Sequence, residues 1–223
     1  MRRFADIKSS SPPLFKKQMG DLHHGIELFS VVLISLATVV SAWCAYQSAL
    51  WAGEVMSSYN LANAARTESV RMSNRALQLT SIDVNLFTEY VSAYSKGDDD
   101  LADFLMTRFR PEMKLAVDAW IKTRPLINPE APYSPFNMAE YQSEAQLEAD
   151  RLLNEVDEYL ELARKANERS GRYFLLTVIF ASVLFFGGIS SKFRSINIQI
   201  GLLAFSSLLF LITVIFVITF PIL

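Results

Sequence analysis

The residues with the clearest chemical potential form a short acidic cluster. Asp98, Asp99, Asp100 and Asp103 include carboxylates at positions i, i+1 and i+4, which lie near one face of a helix. Carboxylates in this pattern bind Mg²⁺ that bridges a diphosphate, but such sites need a second acidic motif. The nearest one, 150–158, departs from the pattern at its middle position. A Mg²⁺-dependent enzyme acting on a lipid or diphosphate substrate is therefore a remote alternative, and capping of a helix N-terminus explains the cluster more simply.

The sequence offers few residues that could support other kinds of catalysis. The segment 54–172 contains neither Cys nor His, so a Ser-His or Cys-His pair cannot be assembled there. His23 and His24 are adjacent, and their side chains diverge by roughly 100° on a helix, which is poor geometry for a shared metal. Cys44 lies alone in an apolar stretch. We expect no catalytic residue, no cofactor and no metal, and hence a non-enzymatic protein.

The elements that would position any site are dominated by apolar helices. The chain has 223 residues, of which 51% are hydrophobic and 20% charged, with a net charge of -2. Three stretches, 28–53, 173–191 and 195–223, carry no charge, and each reaches the roughly 20 residues that a helix needs to cross a bilayer. We predict an integral membrane protein whose partner is the lipid bilayer. No basic face is available to bind nucleic acid.

The predicted fold is an all-α membrane protein with three transmembrane helices and a long extramembrane helical hairpin between the first and second. A basic N-terminal tail covers 1–25, and its Ser-Ser-Ser-Pro-Pro run favours extended backbone. The other predicted parts are transmembrane helix 1 (26–52), an extramembrane helical domain (53–172) with a Pro-rich loop (124–136), transmembrane helix 2 (173–190), a short basic hairpin (191–196) and transmembrane helix 3 (197–221).

Helix signals continue through the extramembrane domain. Glycine is absent between Gly53 and Gly97, so the first helix is expected to continue to about Ser95. Pro111 either kinks the next helix or begins a new one. A packing seam of the two-helix type is predicted where apolar residues recur at steps of 4, 3, 4 and 3: Ala149, Leu153, Val156, Leu160 and Ala163.

Charge distribution predicts the orientation in the membrane. Lys and Arg number 5 in the tail, 14 in 54–172 and 2 in the hairpin, while 54–172 also holds 20 Asp and Glu and is net -6. Short segments decide the positive-inside rule, because long loops contribute little. The N-terminus and the 191–196 hairpin are therefore expected in the cytoplasm and 54–172 outside it. The basic residues of 164–172 weigh against this orientation.

Small residues recur every four positions along the first helix, and they predict a helix-packing contact. In lipid, small side chains let two helix backbones approach closely, within one subunit or between subunits. This ladder consists of Ala37, Ser41, Ala45, Ala49, Gly53 and Ser57.

Polar residues inside the first span raise the alternative of a channel. Ser41, Gln47 and Ser48 could line a pore, but only in a homo-oligomer whose first helices surround it. Interhelical hydrogen bonding explains the same residues more simply. No carboxylate, histidine or basic residue lies inside a span beyond Glu27 at its edge, which argues against an ion-coupled transporter.

Aromatic residues mark the outer ends of the first two spans. Aromatic rings with a polar edge suit the lipid headgroup layer, so we expect membrane-interface anchors at Trp43, Tyr46, Trp51, Tyr59 and Tyr173.

Three phrases of the sequence resemble a known group of proteins. They are Trp-Cys-Ala-Tyr-Gln-Ser at 43–48, Ala-Asn-Glu-Arg-Ser-Gly-Arg-Tyr at 166–173, and the apolar run at 177–190. In this order, around a long helical insert, they resemble uncharacterised three-span bacterial inner-membrane proteins that share a domain of unknown function. The resemblance covers about half the chain and implies a prokaryotic inner membrane. It implies no catalytic residue.

The sequence therefore favours a self-associating scaffold or sensor that presents a helical domain. A homo-oligomer and an unidentified protein partner of that domain are its expected partners.

Overall fold

The computed structural model describes residues 13–125 and 127–223, with side chains from His24 onward, and all regular secondary structure in these residues is helical. The helices are α1 (Pro13–Lys96), α2 (Asp99–Arg108), α3 (Pro111–Lys122), a 3₁₀ turn (Pro135–Asn137), α4 (Glu144–Ser190) and α5 (Ile196–Thr219). Three of them, α1, α4 and α5, contain a stretch long and apolar enough to cross a membrane.

Helix ends follow local sequence signals. Gly97 has a φ of 75° and ends α1, and the backbone N–H of Asp98 donates to the carbonyl of Ala93 at 3.0 Å. This left-handed position favours glycine. Pro111 is the first residue of α3, where its missing N–H costs no hydrogen bond, so the predicted alternative of a new helix is the one observed. At the other end, α1 already begins at Pro13, inside the expected tail, and the rest of the predicted Ser-Pro run lies outside the described residues.

The chain forms two compact units, and α1 and α4 contribute to both. Among the described residues, unit 1 comprises 13–56 and 163–223. Within it, α1 and α4 are antiparallel, because Ser30 donates to the carbonyl of Gly187 at 2.8 Å while Ser48 donates to the carbonyl of Ser170 at 3.0 Å. The core of this unit is apolar and includes Ala37, Cys44, Trp51, Ala166, Tyr173, Leu176, Phe180 and Val183.

Helix α5 completes unit 1 and is antiparallel to α4. Ser206 donates to the carbonyl of Val183 at 2.9 Å, and the hydroxyl of Tyr173 donates to the carbonyl of Pro221 at 3.3 Å. At the same end of unit 1, the rings of Tyr173 and Phe220 contact each other, with centroids 5.9 Å apart.

Unit 2 comprises residues 57–162 and has two apolar clusters. In the first, α1 packs on α4 through Ala62, Ala65 and Val156, and Ser69 donates to the carbonyl of Ala149 at 2.9 Å. In the second, α2, α3 and the 3₁₀ turn pack on the last turns of α1. Its buried members are Phe109, Met113 and Val117, and its half-buried members are Leu86, Phe87, Tyr90, Met106, Phe136 and Tyr141.

The predicted seam on α4 is largely buried, with Ala163 of unit 1 fully buried and one change of position in unit 2. Ala149 and Val156 are buried and Leu160 is half-buried, but Leu153 is exposed and Leu152 is buried in its place.

Candidate functional site

The small-residue ladder of α1 does not lie on one face of the helix. Ala37 is fully buried in unit 1 and Ser41 is half-buried, whereas four positions are exposed: Ala45, Ala49, Gly53 and Ser57. Four residues make slightly more than one helical turn, so a strict four-residue repeat winds around the helix. A side chain added at Gly53 would meet open space. The exposed part of the ladder remains a prediction for contact with a second copy.

The packed face of α1 in unit 1 instead alternates steps of three and four residues. This alternation averages 3.5 residues and keeps a seam on one side of a gently supercoiled helix. The seam consists of Ser30, Leu33, Ala37, half-buried Val40, Cys44, Gln47 and Trp51.

Two of the three residues considered for a pore are bonded within unit 1. Gln47 is buried, and its Oε1 accepts a hydrogen bond from the backbone N–H of Leu223 at 3.1 Å. Ser48 and Ser170 exchange hydrogen bonds with each other's carbonyls at 3.0 and 2.9 Å. These contacts join α1 to α4 and to the segment that follows α5, in line with the simpler explanation of bonding within the unit.

The aromatic residues expected at the membrane interface divide into two groups. Trp43, Tyr46 and Tyr59 are exposed and remain predicted anchors. Trp51 and Tyr173 are buried in the core of unit 1, which differs from the expectation that they face lipid headgroups. The guanidinium of Arg169 lies 4.5 Å from the centre of the Trp51 ring, so this indole packs against a cation instead.

The acidic cluster of α2 has a structural role in the described residues. Asp98 is the N-cap of α2, and its Oδ1 accepts a hydrogen bond from the backbone N–H of Leu101 at 3.1 Å. Asp99 and Asp100 occupy the first turn, where negative charge is favourable. In the part of the chain that the structure describes, no three His, Cys, Asp or Glu side chains are placed to hold a metal ion.

A buried ionic network joins three separate segments of unit 2. Asp83 on α1 is fully buried, and both of its oxygens accept from Arg110, from Nε at 3.2 Å and from Nη2 at 2.5 Å. The hydroxyl of Tyr141 donates to the same carboxylate at 2.8 Å, and Glu112 accepts from Nη1 of Arg110 at 2.5 Å. A buried charge is tolerated only when paired and hydrogen-bonded, so this network fixes where α3 begins against α1.

The network shifts the ionisation of two of its members. Hydrogen bonding to Asp83 is the largest influence on Arg110, and it raises the pKa of the guanidinium despite partial burial. For Tyr141, burial is the main cause that raises the pKa of the phenol, and the hydrogen bond to Asp83 acts in the same direction. Both groups therefore keep their protons throughout the neutral range.

Aromatic rings hold the Pro-rich loop against α1 and α3. The indole Nε1 of Trp120 donates to the carbonyl of Pro132 at 2.7 Å. Phe87 makes edge contacts with Trp120 and with Phe136, at centroid distances of 5.4 and 5.9 Å. Because the Phe87 ring supports both neighbours, the loop is anchored at Pro132 and again at the 3₁₀ turn.

An apolar pocket of about 340 Å³ lies beside this cluster in unit 2. It has the size of a small-molecule site, since such sites span about 300–1,000 Å³. Several of its apolar side chains remain unusually exposed, including Tyr94 at 61% and Ile127 at 82%. Its lining consists of Tyr90, Val91, Tyr94, Trp120, Ile121, Arg124, Pro125 and Ile127.

Arg124 supplies the charge of the pocket and has an unusual backbone. Its φ is 53°, the one positive value outside glycine in the described residues. It follows Thr123, the C-cap of α3; its backbone N–H donates to the carbonyl of Ile121 at 3.0 Å, and its carbonyl accepts from the backbone N–H of Asn128 at 2.9 Å. This left-handed position normally favours glycine, so the backbone is held in a costly conformation while a long cationic side chain lines the pocket.

Sequence reasoning missed both the network and the pocket. One signal did exist for Asp83: it occupies a seam position, seven residues from both buried Ala76 and half-buried Tyr90. An acid at such a position needs a cationic partner.

No protein family, curated protein or solved structure matches this chain.

Proposed function

We propose that the chain is a non-enzymatic integral membrane protein that self-associates and presents a helical domain as a sensor or scaffold. The observation that carries the proposed sensing role is the apolar pocket of unit 2, the unit that also contains the buried Asp83–Arg110 ion pair. A preformed apolar pocket with a few polar groups is the usual form of a binding site for a small molecule. This observation favours a sensor over a passive scaffold.

The proposed arrangement places three helices in a prokaryotic inner membrane. Residues 26–52, 173–190 and 197–221 are the proposed spans, with a helical hairpin between the first two. The N-terminus and the 191–196 hairpin lie in the cytoplasm, and 54–172 lies outside it. Support comes from three apolar helices and from the positive charge of the short segments.

Self-association is proposed to use the exposed part of the ladder on α1. Ala45 and Ala49 are exposed on this helix, and small side chains in lipid permit close approach of a second copy. The channel alternative has weaker support, because Gln47 and Ser48 are bonded within unit 1.

Measurement of the protein mass in lipid nanodiscs, by light scattering with the lipid contribution subtracted, tests self-association. The expected result is a mass of at least two chains that falls for Ala45→Leu and Ala49→Leu. Val32→Leu is the matched control, since Val32 is exposed on α1 outside the ladder. A single-chain mass for the unaltered protein would remove self-association from the proposal, and an unchanged mass in both variants would remove the ladder.

A further inference from the structure

We propose that the pocket of unit 2 binds a small water-borne amphiphile with one anionic head group and a single short acyl chain. The inference rests on the proposed function, since it names the ligand class of the proposed sensor. Its test measures binding directly and so is separate from the tests of orientation and self-association.

The shape and lining of the pocket select an apolar chain. Seven of the eight lining residues present apolar or aromatic surface, and about 340 Å³ is at the lower end of the range for ligand sites. A single short chain suits this volume better than a two-chain membrane lipid. Burial of such a chain removes apolar surface of both ligand and protein from water, which is the main favourable term.

The charge of the pocket selects the head group. Arg124 is the only ionised side chain in the lining, and no carboxylate of the described residues forms an ion pair with it. A guanidinium offers a forked set of donors that matches a carboxylate. Tyr90 also lines the pocket and carries a phenol that is neutral near pH 7, and burial raises its pKa further. An anionic head group is therefore favoured over an ammonium or an uncharged alcohol.

The backbone of Arg124 gives a second argument that its side chain has a use. At a φ of 53°, glycine would adopt the same conformation with less strain. Strained positions are typical of functional sites, where the cost is offset by what the side chain does. The proposal therefore predicts that Arg124→Gly raises the stability of the protein but removes ligand binding.

Quenching of Trp120 by 8-bromooctanoate tests the proposal on the full chain in lipid nanodiscs. Bromine quenches tryptophan at contact, and Trp120 lines the pocket. Partition of the probe into lipid gives a non-saturable background from Trp43, which is exposed on α1. The expected signal is a saturable component that disappears in Trp120→Phe. Octanoate displaces it, whereas octylammonium, with the same chain and the opposite charge, does not.

Variants at Arg124 separate binding from folding. Arg124→Gln is expected to weaken binding by about 10-fold or more, and Arg124→Lys by less, since a hydrogen bond to a charged group is among the stronger ones. Arg124→Gly is expected to abolish saturable quenching while raising the melting temperature by about 2–4 °C. Lys114→Gln, an exposed charge on α3 outside the pocket, is the matched control and should leave both unchanged.

Filling the pocket gives an independent variant. Val91 is 42% exposed and lines the pocket, so Val91→Phe should occupy the space without disturbing the core or adding a tryptophan, and saturable quenching should be lost. Three results would overturn the proposal: quenching without saturation in the unaltered protein, equal affinity in Arg124→Gln, or equal competition by octylammonium. Absence of octanoate binding together with a lower particle mass for Ile127→Asp would assign the pocket to a second copy of the chain instead.

Discussion

The carboxylate of Asp83 and the guanidinium of Arg110, 27 residues apart in the chain, form a two-point ion pair inside unit 2. Asp83 is fully buried, and Arg110 immediately precedes α3. Their pairing therefore sets the position at which α3 begins to pack on α1. Since α3 carries Trp120 and is followed by Arg124, the same pair supports the pocket.

Loss of the Asp83 carboxylate should strongly destabilise unit 2. Asp83→Ala leaves the guanidinium of Arg110 and the hydroxyl of Tyr141 without their shared acceptor, which we expect to cost about 3 kcal/mol. Glu112→Gln is the control, since Glu112 is a second and partly exposed partner of Arg110 and should cost less than about 1 kcal/mol. Thermal unfolding followed by circular dichroism compares the two. Equal melting temperatures would show that the network adds little to stability.

Alkaline pH should destabilise the same unit. Burial raises the pKa of Tyr141 above its ordinary value of 10.0, and burial also raises that of Tyr90. A group whose pKa is raised in the folded state contributes fully below its unfolded pKa, and this contribution is lost as pH rises through the folded pKa. The melting temperature should thus be insensitive to these groups below about pH 10 and fall above it.

A pair of tyrosine variants tests this pH dependence. Tyr141→Phe should reduce the fall above about pH 10, whereas Tyr133→Phe, at a residue 102% exposed, should not. Tyrosinate absorbance near 295 nm is followed in the same titration. The absorbance missing in Tyr141→Phe should belong to a tyrosine that ionises at higher pH than the exposed tyrosines. Ionisation of Tyr141 together with exposed tyrosines would contradict the burial argument.

Adjacent glycines on α4 should respond differently to a larger side chain. A Cβ at Gly187 would lie 3.3 Å from Cγ1 of Ile34 and 3.4 Å from Oγ of Ser206, whereas one at Gly188 would meet no atom within 4 Å. Gly187→Leu should therefore overpack the three-helix core of unit 1 and cost about 2 kcal/mol, and Gly188→Leu should be nearly neutral. Thermal melts in detergent measure both. A similar loss in the two variants would argue against this helix contact.

The sequence predicted the helices better than their contacts. Charge-free stretches and the placement of Gly97 and Pro111 carry local information, and so they located three apolar helices and two helix boundaries. On α4, Leu152 is buried and Leu153 is exposed. Which of the two is buried depends on small rotations of the helix that a 3.5-residue pattern does not resolve. The ladder from Ala37 to Ser57 has the spacing of a single contact but winds around α1, because a step of four residues adds extra rotation at every repeat.

The pocket could not be predicted from local sequence signals, because separate segments of the chain form it. Its lining combines the end of α1 with the end of α3, and Arg124 lines it only because the chain takes a left-handed conformation there. Neither the meeting of these two segments nor a positive φ at arginine is encoded in spacing or composition. The Asp83–Arg110 pair is equally long-range, although an acid within an apolar seam was a local sign of it.

Labelling from outside the cell tests the central claim, that unit 2 is presented outside the cytoplasm by a membrane-embedded unit 1. Replacement of the buried Cys44 by Ala gives a background for single cysteines at Tyr133, in the Pro-rich loop, and at Ser191, in the basic hairpin; both positions are exposed. A membrane-impermeant maleimide applied to intact spheroplasts should label Tyr133→Cys at once. It should label Ser191→Cys only after the membrane is opened. Labelling of Ser191→Cys alone in intact spheroplasts would reverse the orientation, and equal labelling of both would contradict the three-span arrangement.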